Sequence, residues 1–184
     1  MKLLVTRHGE TDFNVQKRYA GSTDVPLNAR GLEQAQALAQ RLINQPLDVI
    51  VVSPLTRARQ TADAVHRLRP ELPVVVMEEF AERNVGVYEG LTGAEIQQRY
   101  PQLWARGCTR RTDDAPDGGE TVRQLDQRIA RGLAKLKEAY ADKTVLLVCH
   151  GGVSKAINRQ MTGLSYDEMY DFVLGNGEVA EYMG

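Results

Sequence analysis

Three short stretches of this sequence share a layout that restricts its fold more than any other feature. Lys2 to Thr6, Asp48 to Val52 and Thr144 to Cys149 are β-rich and apolar, and each runs into a Gly- or Pro-containing turn that opens a helical pattern. Runs of this kind read as strands buried on both faces, the habit of a parallel sheet. Between them the apolar spacing changes to three and four residues. Gly31 to Asn44 carries Leu32, Ala35, Leu38 and Leu42, and Val122 to Tyr140 carries Val122, Leu125, Ile129, Leu133, Leu136 and Tyr140 along one helical face. Helix starts are marked by Asn28, by Ser53 followed by Pro54, and by Thr92 with Glu95 and Thr121 with Gln124 as capping boxes. Pro73 to Met77 adds a further strand and Glu178 to Met183 a late one at an edge. The expected fold is α/β, a three-layer α/β/α sandwich around a mostly parallel central sheet. At 184 residues, one domain spanning 1–184 is expected. Trp104 to Gly119, rich in Arg, Asp, Gly and Pro without a period, is the expected long loop.

Charge narrows the function. Lys plus Arg is 23 against 24 for Asp plus Glu, a net charge of -1, so the chain has no global attraction for nucleic acid or an acidic membrane. Neither is expected as a partner. No apolar run approaches membrane-spanning length, and the short one at Leu3 to Val5 meets charge at Arg7, which argues against a signal peptide and for the cytoplasm. Cys108 and Cys149 have neither metal-ligand spacing nor a disulfide framework, and Cys149 reads as a small buried hydrophobe. Arginines far outnumber lysines, and a planar guanidinium suits bidentate recognition of phosphate or carboxylate.

Any anion chemistry must therefore be local, and the strand ends say where. In an open parallel sheet, ligands sit beyond the carboxyl ends of the strands, where helix N-termini point their free N–H groups. The first strand delivers Arg7, His8 and Gly9, the second Ser53 to Arg57, and the last His150, Gly151 and Gly152. Two histidines and two arginines converge, Arg57 falls in the first turn of its helix, and the glycines let backbone N–H groups approach a ligand. Such a positive cavity suits a transferring phosphoryl group, whose oxygens stay charged throughout. His66 has no partners on its helix and reads as a structural or surface residue, while Arg59, Arg67 and Arg69 read as a solvated helix face. The neighbouring arginines would repel a dication and no third ligand has suggestive spacing, so no metal is expected. Arg106, Arg110 and Arg111 in the long loop could equally meet a second anionic group or water.

At these positions the sequence resembles the histidine phosphatase superfamily, in its phosphoglycerate-mutase-like branch. The resemblance is carried by Arg7-His8-Gly9-Glu10-Thr11 with Asn14, by Pro26-Leu27-Asn28 with Gly31 and Gln34-Ala35, and by Ser53-Pro54-Leu55 with Arg57-Ala58 and Thr61-Ala62. It continues through Glu82 with Gly86 and Glu89-Gly90, Gly119-Glu120-Thr121 and His150-Gly151, nearly end to end. It implies the phosphoglycerate-mutase-like fold and a metal-independent phosphatase that uses no cofactor. His8 would be the nucleophile, Arg7, Arg57, Asn14 and His150 would hold the phosphoryl oxygens, and Glu82 would protonate the leaving alcohol. Gly21 and Gly151 complete the candidate binding set. Spacing alone does not select Glu82 over Glu78, Glu79 or Glu89; the family motif does.

Two departures bear on specificity. Ala20 stands where many relatives carry glutamine, so a side-chain contact to substrate is missing there. The chain also runs only a short way past Glu178 to Met183, and a mutase must shield its phosphohistidine from water while an intermediate reorients. The expected activity is hydrolysis of a small phosphorylated metabolite. A cofactor-dependent phosphoglycerate mutase is the alternative, and an inactive phospho-ligand binding module is a second. Assembly as a homodimer is compatible with the sequence.

Overall fold

Alternation of side chains along the strands builds two cores, one on each face of a sheet. In β1 (Lys2–Arg7), Leu3 and Val5 point to one side and Leu4 to the other. β2 (Val49–Val52) divides Val49 and Val51 from Ile50 and Val52 in the same way. A strand covered on both faces needs an apolar residue at nearly every position, which is why these runs are unbroken. The computed structural model describes residues 1–184. Its five strands lie in the order β3-β2-β4-β1-β5, with β3 being Val74–Val76, β4 Thr144–Cys149 and β5 Val179–Met183. The first four run parallel, and β5 closes one edge antiparallel to β1.

Helices cover both faces. After a single turn, α1 (Asp12–Val15), the helices α2 (Ala29–Leu42) and α3 (Thr56–Leu68) bury Leu38, Leu42, Ala58, Ala62 and Val65 against one face. Beyond the short α4 (Gly93–Arg99) and α5 (Pro101–Arg106), α6 (Val122–Ala139) and α7 (Gly151–Thr162) bury Leu125, Ile129, Leu136, Val153 and Ile157 against the other. The result is the three-layer α/β/α sandwich. A small third cluster of Val85, Tyr88, Ile96 and Cys108 packs with α4 and α5.

Local chemistry sets most boundaries. Asn28 accepts from the Gly31 N–H at 2.8 Å, and Thr92 and Thr121 form complete capping boxes with Glu95 and Gln124. Three expectations are corrected. Leu32 is 45% exposed, because the buried face of α2 runs through Gly31, Ala35, Leu38 and Leu42 and Leu32 lies about 100° round the helix from it. Arg69 is not solvated: it reaches across to the carbonyls of Leu42, Ile43 and Gln45 and closes the end of α2. Trp104 to Arg106 belong to α5, so the irregular segment begins at Gly107.

Candidate active site

Register decides what meets at the carboxyl edge of the sheet. Arg7 lies opposite Cys149 in neighbouring strands, so His8 and His150 leave the sheet side by side. The His8 N–H still donates to the Cys149 carbonyl at 3.0 Å, and the two rings stand 5.1 Å apart between centroids. β2 is the other neighbour of β4, with Val52 opposite Val148, and this brings Ser53 beside His150. Ser53 is therefore not the N-cap of α3, a place taken by Leu55. Its hydroxyl lies 2.6 Å from His150 Nε2 and accepts from the Leu55 N–H at 3.3 Å. That oxygen accepts from Leu55 and can either give its own proton to Nε2 or accept a second bond from it. The other ring nitrogen of His150, Nδ1, has no hydrogen-bond partner in the protein.

His8 is held the opposite way round. Its Nδ1 is 2.6 Å from the Gly9 carbonyl, so the neutral ring donates from Nδ1 and keeps a lone pair on Nε2. Burial, reinforced by the positive charges of Arg57 and Arg7, pushes its pKa from 6.5 to about 3 against the opposing pull of the Gly9 carbonyl. Burial likewise drives His150 well below its ordinary value, with His8, Arg57 and Arg7 adding to it. Both imidazoles are neutral at physiological pH.

The arginines carry the charge. Arg57 is only 1% exposed; its Nη1 donates to the Thr23 carbonyl at 2.8 Å and its Nη2 to the Gly21 carbonyl at 2.7 Å, leaving Nε without a partner. Arg7 donates from Nη1 to the Leu174 carbonyl at 3.3 Å and also has an unpartnered Nε. Neither is in an ion pair, whereas a buried cation ordinarily is. Arg7 Nε, Arg57 Nε and His150 Nδ1 are buried nitrogens without a hydrogen-bond partner in the protein, as are Arg83 Nη2 and, away from this cluster, His66 Nδ1 and Arg159 Nε.

A cavity of about 350 Å³ lies over this cluster, lined by Arg7, His8, Asn14, Gly21, Glu82 and Gly151 together with Arg18, Tyr19, Arg83 and Lys155. Arg57 and His150 do not form its lining; both are covered. Of the four acids left open by spacing, only Glu82 lines the cavity. It accepts from the Arg83 N–H at 2.8 Å and from the Gly152 N–H at 3.0 Å, and a Cβ at Gly152 would fall 2.6 Å from its Oε1. Glu78 is exposed, Glu79 pairs with Lys135, and Glu89 is occupied by Ser22, Thr23 and Val85. Asn14 Oδ1 accepts from the Thr11 N–H at 3.0 Å while the side chain lines the cavity.

Gly9 differs from expectation. Its N–H is engaged by the Thr61 hydroxyl at 3.0 Å, and a Cβ there would meet the Gly31 carbonyl at 2.3 Å, so this glycine admits α2 rather than a ligand. The loop arginines are also placed elsewhere: Arg106 pairs with Asp114 at 2.7 Å, Arg110 lies over the Tyr170 ring, and Arg111 is exposed. The additional cations of the cavity are Arg18, Arg83 and Lys155, which the sequence reading missed. Lys155 follows Gly151 by one helical turn, and that spacing on a helix starting at the strand end was the available signal. No group of three His, Cys, Asp or Glu side chains is placed to hold a metal ion. No helix is long and apolar enough to cross a membrane.

Comparison with known proteins gives a consistent set of relatives. The histidine phosphatase superfamily (branch 1) is matched over residues 3–182. An uncharacterized phosphatase of Bacillus subtilis, PhoE, is 37% identical over 183 residues, covering 97% of this chain and 89% of its own. A 2,3-bisphosphoglycerate-dependent phosphoglycerate mutase of Gloeobacter violaceus is 31% identical over 171 residues, covering 91% and 78%. The crystal structure of the alpha-ribazole phosphatase from Shigella flexneri superposes with a TM-score of 0.91 at 32% identity, covering 98% of this chain and 89% of that one.

Proposed function

The chain belongs to the histidine phosphatase superfamily, branch 1, and from that premise we propose that it hydrolyses small-molecule phosphomonoesters through a phosphohistidine on His8. The observation that carries this reading is the state of His8: neutral, buried, its Nδ1 proton tied to the Gly9 carbonyl, and under the positive charge of two arginines that form no direct ion pair. A neutral imidazole with a fixed tautomer presents one lone pair, and the surrounding donors match charge that the phosphoryl oxygens carry through the reaction.

In the first half-reaction His8 Nε2 forms a bond to phosphorus as the ester P–O bond breaks, and the departing oxygen takes a proton from Glu82. Arg7 and Asn14, which line the cavity, hold the phosphoryl oxygens with the backbone at Gly21 and Gly151, and Arg57 and His150 support the same oxygens from beneath the lining. In the second half-reaction Glu82 takes a proton from water, the water oxygen bonds to phosphorus, and the N–P bond breaks to return neutral His8 and free phosphate. One domain of 1–184, acting on a soluble metabolite without metal or cofactor, is sufficient for these steps. Similarity to an alpha-ribazole phosphatase and to a phosphatase of Bacillus subtilis supports hydrolysis as the outcome.

The test is phosphate release from a panel of phosphorylated metabolites by purified protein, with and without EDTA. Release insensitive to EDTA is expected. Conversion of 3-phosphoglycerate to 2-phosphoglycerate, stimulated by 2,3-bisphosphoglycerate and without liberated phosphate, would replace the phosphatase with the mutase suggested by the Gloeobacter relative.

A further inference from the structure

Glu89 is excluded from the acid role by its surroundings, and those surroundings give it another. Its Oε1 accepts from the Ser22 N–H and hydroxyl, both at 2.8 Å, and from the Val85 N–H at 3.2 Å, while Oε2 accepts from the Thr23 hydroxyl at 2.5 Å. The same three-residue loop, Gly21 to Thr23, supplies both carbonyls that hold the Arg57 guanidinium, at 2.7 and 2.8 Å. Carboxylate and guanidinium thus grip one loop, the first by its donors and the second by its acceptors. The contact is close: Gly21 has φ +50°, and a Cβ on it would lie 2.2 Å from Glu89 Oε1. Asp24 ties the loop to the helix that carries Arg57, accepting from the Thr56 N–H and hydroxyl, both at 2.7 Å.

We propose that Glu89 is the positioning residue of Arg57: it anchors the Gly21 to Thr23 loop, and the carbonyls of that loop fix the plane of the guanidinium beside His8. Two planar donors bonded to two fixed acceptors leave the guanidinium no rotation, so its charge is held in one place relative to His8. Burial works against the charge of Glu89, yet the bonds from Thr23, Ser22 and Val85 hold its carboxyl below the usual range, so the anchor stays ionised. The inference rests on the phosphohistidine reading, in which the placement of Arg57 governs rate.

A double-mutant cycle tests it, with kcat/KM for p-nitrophenyl phosphate and the Kd of orthovanadate read in the wild type, Glu89→Ala, Glu89→Gln, Arg57→Ala and the Glu89→Ala/Arg57→Ala double variant. Glu89→Ala lowers kcat/KM and weakens vanadate each by about tenfold or more in the wild-type background, but by less than about twofold once Arg57 is gone. Glu89→Gln recovers most of the loss, because an amide oxygen still accepts from Ser22. Equal losses in both backgrounds, or wild-type kinetics in folded Glu89→Ala, would overturn the proposal. If Glu89→Ala does not fold, Thr23→Val removes one of the same bonds and must show the same dependence on Arg57. Absence of phosphate release by the wild type would sink the phosphohistidine reading instead, and the vanadate arm would still report the coupling between Glu89 and Arg57.

Discussion

Arg57 and Arg128 are covered by the same protein and used in opposite ways. Arg128 meets Glu120 with two bonds of 2.9 and 2.7 Å and gives its remaining nitrogen to the carbonyls of Glu79 and Ala81, so every donor nitrogen is engaged and its charge is neutralised. Arg57 is buried more deeply, holds two carbonyls, pairs with no acid and leaves Nε bare. The first arrangement is complete in itself. The second leaves a buried donor unpartnered and a cation without an ion pair, and the proposed phosphoryl site draws on that deficit.

The largest expected effect concerns what that deficit serves. His8→Ala should lower turnover by at least about 10⁴-fold while orthovanadate still binds, because the arginines and His150 remain. Steady-state kinetics beside vanadate titration measures both. Next, Arg57→Ala should cut kcat/KM by about 10²- to 10³-fold at a folding cost of only about 1–2 kcal/mol, because the Gly21 and Thr23 carbonyls it strands are partly offset by removal of a buried cation without an ion pair. Arg128→Ala should do the reverse, costing about 2–3 kcal/mol in urea unfolding while kcat/KM changes by less than about fivefold, because it strands Glu120. Comparable kinetic losses in both variants would erase the distinction between the two sites.

The same contrast appears in ligand linkage. Vanadate at a hundred times its Kd should stabilise the wild type and Arg128→Ala alike by about 2.7 kcal/mol in a thermal shift, and Arg57→Ala far less at the same concentration. The smallest effect is on pH. Below about pH 6.5 the unfolded chain takes up a proton at His8, whereas the folded chain does not until about pH 3. Stability from this group is therefore whole above pH 6.5 and drains away as pH falls, with a slope approaching about 1.4 kcal/mol per pH unit. Unfolding between pH 7 and 5 should show a gentler loss for His8→Ala than for the wild type; parallel curves would mean that His8 is not held neutral.

Sequence revealed what local chemistry or simple periodicity determines. β1, β2 and β4 were legible because both faces are buried, and Asn28, Thr92 and Thr121 because a cap and its partner lie three residues apart. Arg7, His8, Arg57 and His150 could be brought together because the carboxyl ends of parallel strands share one edge. Ser53 was misread because its local pattern fits an N-cap while its strongest partner, His150, lies 97 residues away. Spacing alone could not separate Glu89 from Glu78, Glu79 and Glu82, since the loop it holds arrives from residues 22 and 23. Arg69 was assigned to solvent for the same reason, its acceptors lying at the end of another helix.

The account depends on a bond between phosphorus and one imidazole. Wild-type protein mixed briefly with radiolabelled phosphomonoester, quenched in alkali to preserve a phosphoramidate and mapped by peptide, should carry alkali-stable, acid-labile label on the peptide holding His8, and none in His8→Ala. Steady turnover with no label on that peptide, or with the label on another residue, would contradict it.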